Sequence, residues 1–335
     1  MLPESVRGGI MTALVFHSNL APYMVGLVEH KRALGYKYEE QVKILKRFDA
    51  LCAEQFPNDC TVTKSMMDIW AVKAPTEAPG TLRGRVTVVS HLAQYMTALG
   101  LDTYIYPTKE LPKESKYIPY IFSEDELLRF FRQVDCCHFS AEVPNRHLIM
   151  PVLFRILYCC GLRPGEVLRL EVRDVDLDCG VLLVRESKND NDRYVPMSYE
   201  LTEICRDYAS KVHGNGTAHK FFFPAPDENM ISLMNIYSNF HRFLHKAGIS
   251  YGGRGKGPRI YDFRHTFAVH CLRRMVLSGK DISVYHQALK TYMGHSFFKY
   301  TAYYLRLTND MFPDIRQKIE AYYQLNVGGG GDCNA

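Results

Sequence analysis

No stretch of the sequence reaches the roughly 18 consecutive apolar residues that a membrane-spanning helix needs, so no bilayer crossing is expected. The opening segment, MLPESVRGGIMTALVFHSNL, has one arginine and only a short apolar patch. A cleaved export signal needs a basic stretch ahead of a long apolar core, so none is expected. Ten cysteines are present, yet no C-x-x-C pair occurs. The adjacent pairs Cys136–Cys137 and Cys159–Cys160 cannot readily supply two ligands to one zinc ion. Cys159 and Cys160 lie in an apolar run, where free thiols behave as small hydrophobes. Together these features predict a reducing cytoplasm without a disulfide framework. There is no internal repeat, and the only low-complexity stretch is the tail GGGGDCNA, whose residues 328–335 are expected to be disordered. An excess of one sign of charge is nearly lacking as well, with 41 Lys and Arg against 36 Asp and Glu. A net charge of +5 is compatible with a nucleic-acid partner but equally with an ordinary soluble protein.

What the chain does have is 335 residues, of which 47% are hydrophobic and 23% charged. That is a globular composition with enough length for two domains. Residues 20–55 read as two helices. Leu20, Met24, Leu27 and Val28 mark the first, which Gly35 ends, and Val42, Leu45, Phe48 or Asp49, Leu51 and Cys52 mark the second. Further helices are predicted over 63–73 and 82–99. Lys43, Lys46 and Arg47 fall on the second helix, and Arg83 and Arg85 near the start of the fourth. Residues 1–105 are thus expected to form a small helical domain with basic faces, suited to DNA, although a solvated helix surface would look the same. Residues 106–120 carry Pro107, Pro112 and Pro119, which favour extended chain. With Lys109, Lys113 and Lys116 they read as a basic linker able to cross a phosphate backbone.

A second domain is predicted over 121–327. Ser123 and Glu126 form a capping-box pattern ahead of Leu127, Leu128, Phe130 and Phe131. Helices are expected over 147–160, 199–211, 233–247, 261–277, 281–292, 297–304 and 309–325. The segments GVLLVRE (180–186) and RYVPM (193–197) flank the polar turn SKNDND, a β-hairpin signal. The fold class expected is therefore mainly α with a small antiparallel β component: a helical domain plus a mixed α/β domain. The last helix, with Met311, Phe312, Ile315, Ile319, Tyr322 and Tyr323, has an apolar face that can pack on its own or on a neighbouring protomer.

Four segments of the second domain each offer a group that phosphoryl transfer needs. Arg163 lies in CGLRPGEVLRL, Lys188 in the hairpin turn, Arg264 and His265 in YDFRHTFAVH, and His295 in MGHSFFKYTAYY. Tyr304 ends the last of these, nine residues after His295 (304 − 295 = 9). A phosphodiester under attack gathers negative charge on its nonbridging oxygens, and paired guanidiniums clamp such oxygens without ever being titrated. Preorganised donors of this kind supply large catalytic terms.

These segments resemble the tyrosine recombinase (phage integrase) family. Its G-L-R-x-x-E segment is matched at Gly161, Leu162, Arg163 and Glu166, and its L-G-H-S segment at Met293, Gly294, His295 and Ser296. Its H-x-x-R-H-T-F-A segment is matched over residues 261–268, and a tyrosine stands nine residues after the histidine. The order and spacing agree, over roughly residues 120–310. The N-terminal helical domain is similar to the family's core-binding (SAM-like) domain in pattern only. The resemblance implies site-specific cutting and rejoining of DNA through a covalent 3′-phosphotyrosine, integrating or excising a mobile element. It makes Tyr304 the nucleophile in preference to Tyr300 or Tyr303, Arg163 and Arg264 the phosphate clamp, and Lys188 the general acid; Arg193 on the same hairpin could also reach the phosphate. His295 would donate to the phosphate or orient the nucleophile, and His265 would pack or support the groups that touch the phosphate. No metal and no cofactor are implied; Asp174, Asp176 and Asp178 read as a turn and the start of a strand. The implied partners are double-stranded DNA sites, with two protomers on each and four in a synapse, in a cytoplasm of bacterial or phage origin. One position departs from the family: Tyr261 stands where a histidine is usual. A phenol can donate a hydrogen bond to phosphate but is a poor base at neutral pH. The alternatives left open are a type IB topoisomerase and a DNA-binding protein with a decayed site.

Overall fold

The computed structural model describes residues 14–112, 118–185, 192–214, 219–253, 257–279, 282–294, 303–304 and 307–308. The expectations for Lys113, Lys116, Lys188, His295, the tail and the helix at 309–325 lie outside them. The chain divides into two compact units, Met1–Tyr117 and Ile118–Ala335. Among the described residues no helix is long and apolar enough to cross a membrane.

The first unit is a set of four helices: α1 (Ala21–Ala33), α2 (Glu39–Gln55), α3 (Lys64–Trp70) and α4 (Pro79–Ala98). Their boundaries follow local chemistry. Gly35 adopts φ +86° just past α1, a left-handed conformation that glycine reaches without strain. The Thr63 hydroxyl accepts from the Met66 N–H at the start of α3, and Pro79 opens α4 where no backbone donor is needed. The apolar spacing read from the sequence faces inward: Met24, Leu27, Val28, Leu45, Phe48, Cys52, Trp70, Val89 and Leu92 are all buried together. Asp49 is buried beside Phe48, so both residues of that ambiguous pair face in. Its carboxylate accepts from the backbone N–H groups of His17 (2.7 Å) and Ser18 (2.9 Å) and from the Ser18 hydroxyl (2.6 Å). This carboxylate thereby fixes the chain that leads into α1.

Of the basic residues expected to meet DNA, Arg85 is turned inward and Arg83 is half-buried. Arg85 is buried. Its guanidinium donates to both oxygens of Glu77 (2.7 and 2.9 Å) and to the carbonyls of Trp70 and Val72, and lies over the Trp70 ring. Arg83 donates to the carbonyls of Thr108 (2.9 Å) and Leu111 (2.6 Å). The expectation for Arg85 is corrected, because a count of charges along α4 does not reveal which of them the core consumes. Lys43, Lys46 and Arg47 remain exposed on α2. The proline segment is not all spacer either: Leu111 is buried in the helical core, and Arg83 ties the carbonyls around it to α4.

The second unit holds α5 (Glu124–Asp135), α6 (Arg146–Cys159), the short α7 (Pro164–Leu168), α8 (Tyr199–Val212), α9 (Leu233–Lys246), α10 (Asp262–Leu277) and α11 (Ile282–Met293). Three antiparallel strands, β1 (Val175–Asp176), β2 (Val181–Val184) and β3 (Arg193–Pro196), form a sheet in that order. The hairpin register pairs Leu182 with Val195 and Val184 with Arg193. The Ser123–Glu126 capping box closes the start of α5 in both directions. Asp176 accepts from the Asp178 and Cys179 N–H groups, making the tight turn between β1 and β2. Asp174 pairs with Arg185 at 2.5 Å.

The core of this unit is aromatic. Phe122, Phe130, Phe154, Phe240, Phe243 and Phe263 meet at ring-centre distances of 5.0 to 6.2 Å, in the range where edge and offset contacts add to simple burial. A smaller cluster forms around α10 and α11: Phe267, Ala268, Leu272, Leu289, Met293, Tyr304 and Leu307. Cys160 is buried, but Cys159 is exposed, so only one of that pair behaves as a core thiol. The sequence did not reveal α7, whose five residues carry too short an apolar pattern to be read as a helix.

Candidate active site

The site forms where three separated motifs converge. The first is the turn between α6 and α7. Gly161 has φ +59°, and a Cβ there would come within 2.3 Å of the Phe267 ring. Only glycine lets the chain turn against α10 at this point. Arg163 then precedes the helical residue Pro164, and Glu166 on α7 reaches back to hold it. One carboxylate oxygen accepts from the Arg163 N–H at 2.9 Å and the other from its guanidinium at 2.6 Å.

Glu166 holds a second arginine. Arg193 of β3 donates to both carboxylate oxygens, at 2.9 and 3.1 Å, and its Nε donates to the Tyr292 carbonyl at 3.1 Å. The Arg193 side chain also lies 3.2 Å from the point a Cβ would occupy on Gly294. Arg193 is thus engaged within the protein, fastening the hairpin to α7 and to the end of α11. A guanidinium committed in this way does not fit the reading in which Arg193 reaches the phosphate. Burial works against the Glu166 carboxylate, but the hydrogen bond and charge of Arg193, with help from Arg163, outweigh it and hold the carboxyl at about 2.

The second motif lies at the start of α10, and its residues have separate tasks. Arg264 is 1% exposed. It donates to the Gly161 carbonyl at 2.7 Å and to the Met293 carbonyl at 2.5 Å, so one guanidinium touches the backbone of both other motifs. Thr266 accepts from the Phe122 N–H at 3.1 Å, securing the start of the unit. Phe267 fills the space under Gly161 and stacks on Tyr292 at 5.6 Å. Tyr261, just ahead of α10, accepts from the Arg163 Nε at 3.2 Å. The position where the family most often has histidine therefore meets the first arginine directly.

The third motif is described up to Gly294 and again at 303–304. Tyr304 is 4% exposed whereas Tyr303 is 39% exposed. Tyr304 shares a hydrogen bond with Arg264 and lies within the electrostatic reach of Arg163. Burial raises its phenol to about 12, against the opposing pull of these arginines. The phenol is therefore protonated at neutral pH. His265, one residue after Arg264, sits with its ring 5.5 Å from that of Tyr304 and 5.6 Å from that of Tyr261. Sequence reasoning assigned His265 to packing; the structure places it among the candidate reacting groups.

Of the predicted site residues, the fold brings together Arg163, Tyr261, Arg264 and Tyr304. It adds Glu166 and Arg193 as the frame beneath them. The signal for Glu166 was in the sequence, three residues after Arg163, but which cations it would pair with was not.

Residues 122–311 match the phage integrase family. The chain is 30% identical over 290 residues to the putative integrase/recombinase y4rE of Sinorhizobium fredii, covering 85% of this chain and 90% of that protein. It is 27% identical to y4rB of the same organism over 309 residues, 89% of this chain and 96% of that one. Two solved structures share the fold, each with a TM-score of 0.61. One is the XerH site-specific recombinase bound to a palindromic difH substrate (16% identity, 82% of this chain, 77% of that one). The other is the Tn1549 transposon integrase in complex with a circular intermediate DNA (17% identity, 86% and 94%). With the motifs converging as they do, and with most of the second unit matched, the chain belongs to the phage integrase family of tyrosine recombinases.

Proposed function

We propose that this tyrosine recombinase cuts and rejoins DNA at specific sites through a covalent 3′-phosphotyrosine on Tyr304, integrating or excising a mobile element. The observation that carries the reading is the seat of Arg264. Its guanidinium is bonded to the first and third motifs and to Tyr304, beside an Arg163 that is itself held from behind by Glu166. Two cations and a phenol are thereby preorganised, so little reorganisation is needed when a phosphodiester arrives.

In the cleavage step the Tyr304 oxygen bonds to phosphorus and the bond to the 5′ oxygen breaks. Arg163 and Arg264 clamp the nonbridging oxygens, and Tyr261 can add a hydrogen bond. Lys188 protonates the departing 5′ oxygen, and His295 donates to the phosphate. The phosphotyrosine conserves the bond energy, so rejoining needs no nucleotide. Residues 1–105 serve as the core-binding domain, with Lys43, Lys46 and Arg47 facing DNA and Lys113 and Lys116 on the basic linker. Residues 121–327 serve as the catalytic domain. The partners are double-stranded recombination sites, with two protomers on each and four in a synapse. This assembly is supported by relatives such as a lambda integrase tetramer bound to a Holliday junction. The setting is the cytoplasm of a bacterium or of a phage host.

The test is covalent capture. Protein is incubated with a pool of nicked random-sequence duplexes, denatured, and the attached strands are sequenced. The wild type should trap an enriched sequence, and Tyr304→Phe should trap none. Plasmid relaxation without strand exchange would select a topoisomerase instead, and tight specific binding without any adduct would select a decayed site.

A further inference from the structure

The fold leaves one polar group in the site without an assignment. His265 stands between the rings of Tyr304 and Tyr261, at 5.5 and 5.6 Å. Its Nδ1 is buried and has no hydrogen-bond partner among the described residues. A buried, unpaired imidazole nitrogen is costly and is rarely kept for packing alone. The phenol beside it is protonated at neutral pH, because burial outweighs the arginines. Attack on phosphorus must therefore deliver the Tyr304 proton to some acceptor. Tyr261, as a phenol, is a poor one.

We propose that His265 accepts the proton of Tyr304 during attack and is a further catalytic residue of the cleavage reaction. The inference rests on the cleavage reading above. As the Tyr304 oxygen bonds to phosphorus, its proton passes to the imidazole. The bond from phosphorus to the 5′ oxygen breaks, and that oxygen is protonated separately. On rejoining, the 5′ hydroxyl attacks phosphorus and the imidazolium returns its proton to the departing Tyr304 oxygen, so the cycle closes without another reactant.

The surroundings of His265 keep it in the accepting state. Burial, then the charges of Arg264 and Arg259, lower its basicity to about 4, so the ring is neutral at the start of the reaction. An arriving phosphodiester places negative charge against Arg264 and offsets its influence on the imidazole. The imidazole then becomes a stronger base when substrate is in place.

The test separates the proton taken from the nucleophile from the proton given to the leaving group. The captured duplex is prepared with an ordinary scissile phosphate and with sulfur in place of the bridging 5′ oxygen, since a thiolate departs without protonation. Adduct formation is timed from pH 4 to 8. His265→Asn should slow both substrates by a similar factor, about 10²–10⁴-fold. It should also abolish the fall in wild-type rate at low pH, which tracks protonation of the imidazole. Lys188→Ala, by contrast, should be rescued by sulfur. Unchanged rates, rescue of His265→Asn by sulfur, or a low-pH fall that persists in the variant would each overturn the proposal. Duplex binding and thermal unfolding serve as checks on folding. If His265→Asn does not fold, His265→Gln replaces it. If neither folds, the wild-type profile on the sulfur substrate decides, and a rate flat down to pH 4 overturns the proposal. A wild type that forms no adduct on any duplex defeats the cleavage reading itself.

Discussion

Each unit of this molecule contains a buried arginine–glutamate node, and the two nodes differ in what they leave free. In the helical unit, Arg85 pairs with both oxygens of Glu77 and with two backbone carbonyls; the node links α3, the following loop and α4. Its guanidinium is occupied inside the unit. In the catalytic unit, the ratio is reversed: one carboxylate, Glu166, serves two guanidiniums. Arg193 is taken up by the frame, while the side chain of Arg163 remains 20% exposed and meets Tyr261. An excess of cation over carboxylate is what a site built for an anion requires, because the ligand supplies the missing charge. The same pair of residue types thus locks one unit and equips the other. The difference lies in how many of the guanidinium donors the protein itself uses.

Removing the shared carboxylate should have the largest effect. Glu166→Ala leaves two cations facing each other in a buried place, and breaking a buried pair in this way costs about 3–5 kcal/mol. Chemical denaturation should show that loss, and adduct formation should fall with it. The same node predicts an acid limb. The Glu166 carboxyl is held at about 2 in the folded protein, below its ordinary 4.5. A depressed carboxyl stabilises the fold fully above the unfolded value. The contribution, on the order of 3 kcal/mol, fades as pH drops from about 4.5 towards about 2. Glu166→Gln should flatten that part of the stability profile.

Next in size is Arg163→Lys. It keeps the charge but loses the planar fork, and removal of one preorganised donor slows such reactions about 10²–10³-fold. The rate of adduct formation should show this with stability nearly unchanged. Should stability fall as far as it does for Glu166→Ala, the contrast between a locking and an equipping arginine fails. Arg85→Met sharpens the other side. It strands the Glu77 carboxylate along with the carbonyls of Trp70 and Val72 and should cost about 3 kcal/mol in unfolding experiments. The rate of cleavage within the bound complex should not change. The smallest effect expected is that of Ser123→Ala, which removes a helix cap bonded to Glu126 and to neither node, and should cost about 1 kcal/mol.

Much of this was legible from residue order. The capping box at Ser123 and Glu126, the helix stop at Gly35 and the pairing of β2 with β3 join residues close in the chain, and such contacts leave local patterns. The motif set pointed to Arg163, Arg264 and Tyr304 because their spacing along the chain is tied to one chemistry. The burial of Arg85 was not legible. Exposed and buried arginines have the same identity in sequence, and only the packing of α4 against the rest of its unit separates them. The short α7 was missed because five residues hold too little periodicity to register.

For this protein, residue identity and spacing determined the reaction family and the set of groups that could take part. Those properties are linear, since each motif is a contiguous run. Tertiary structure alone decided which cation does what. Arg264 reaches Gly161 and Met293, Arg193 takes up Glu166, and His265 falls between Tyr261 and Tyr304. Each of these pairings except the Tyr261–His265 contact joins residues tens to more than a hundred positions apart. Such a pairing is set by the packing of α6, α7, β3, α10 and α11 around a shared core, which no local pattern encodes.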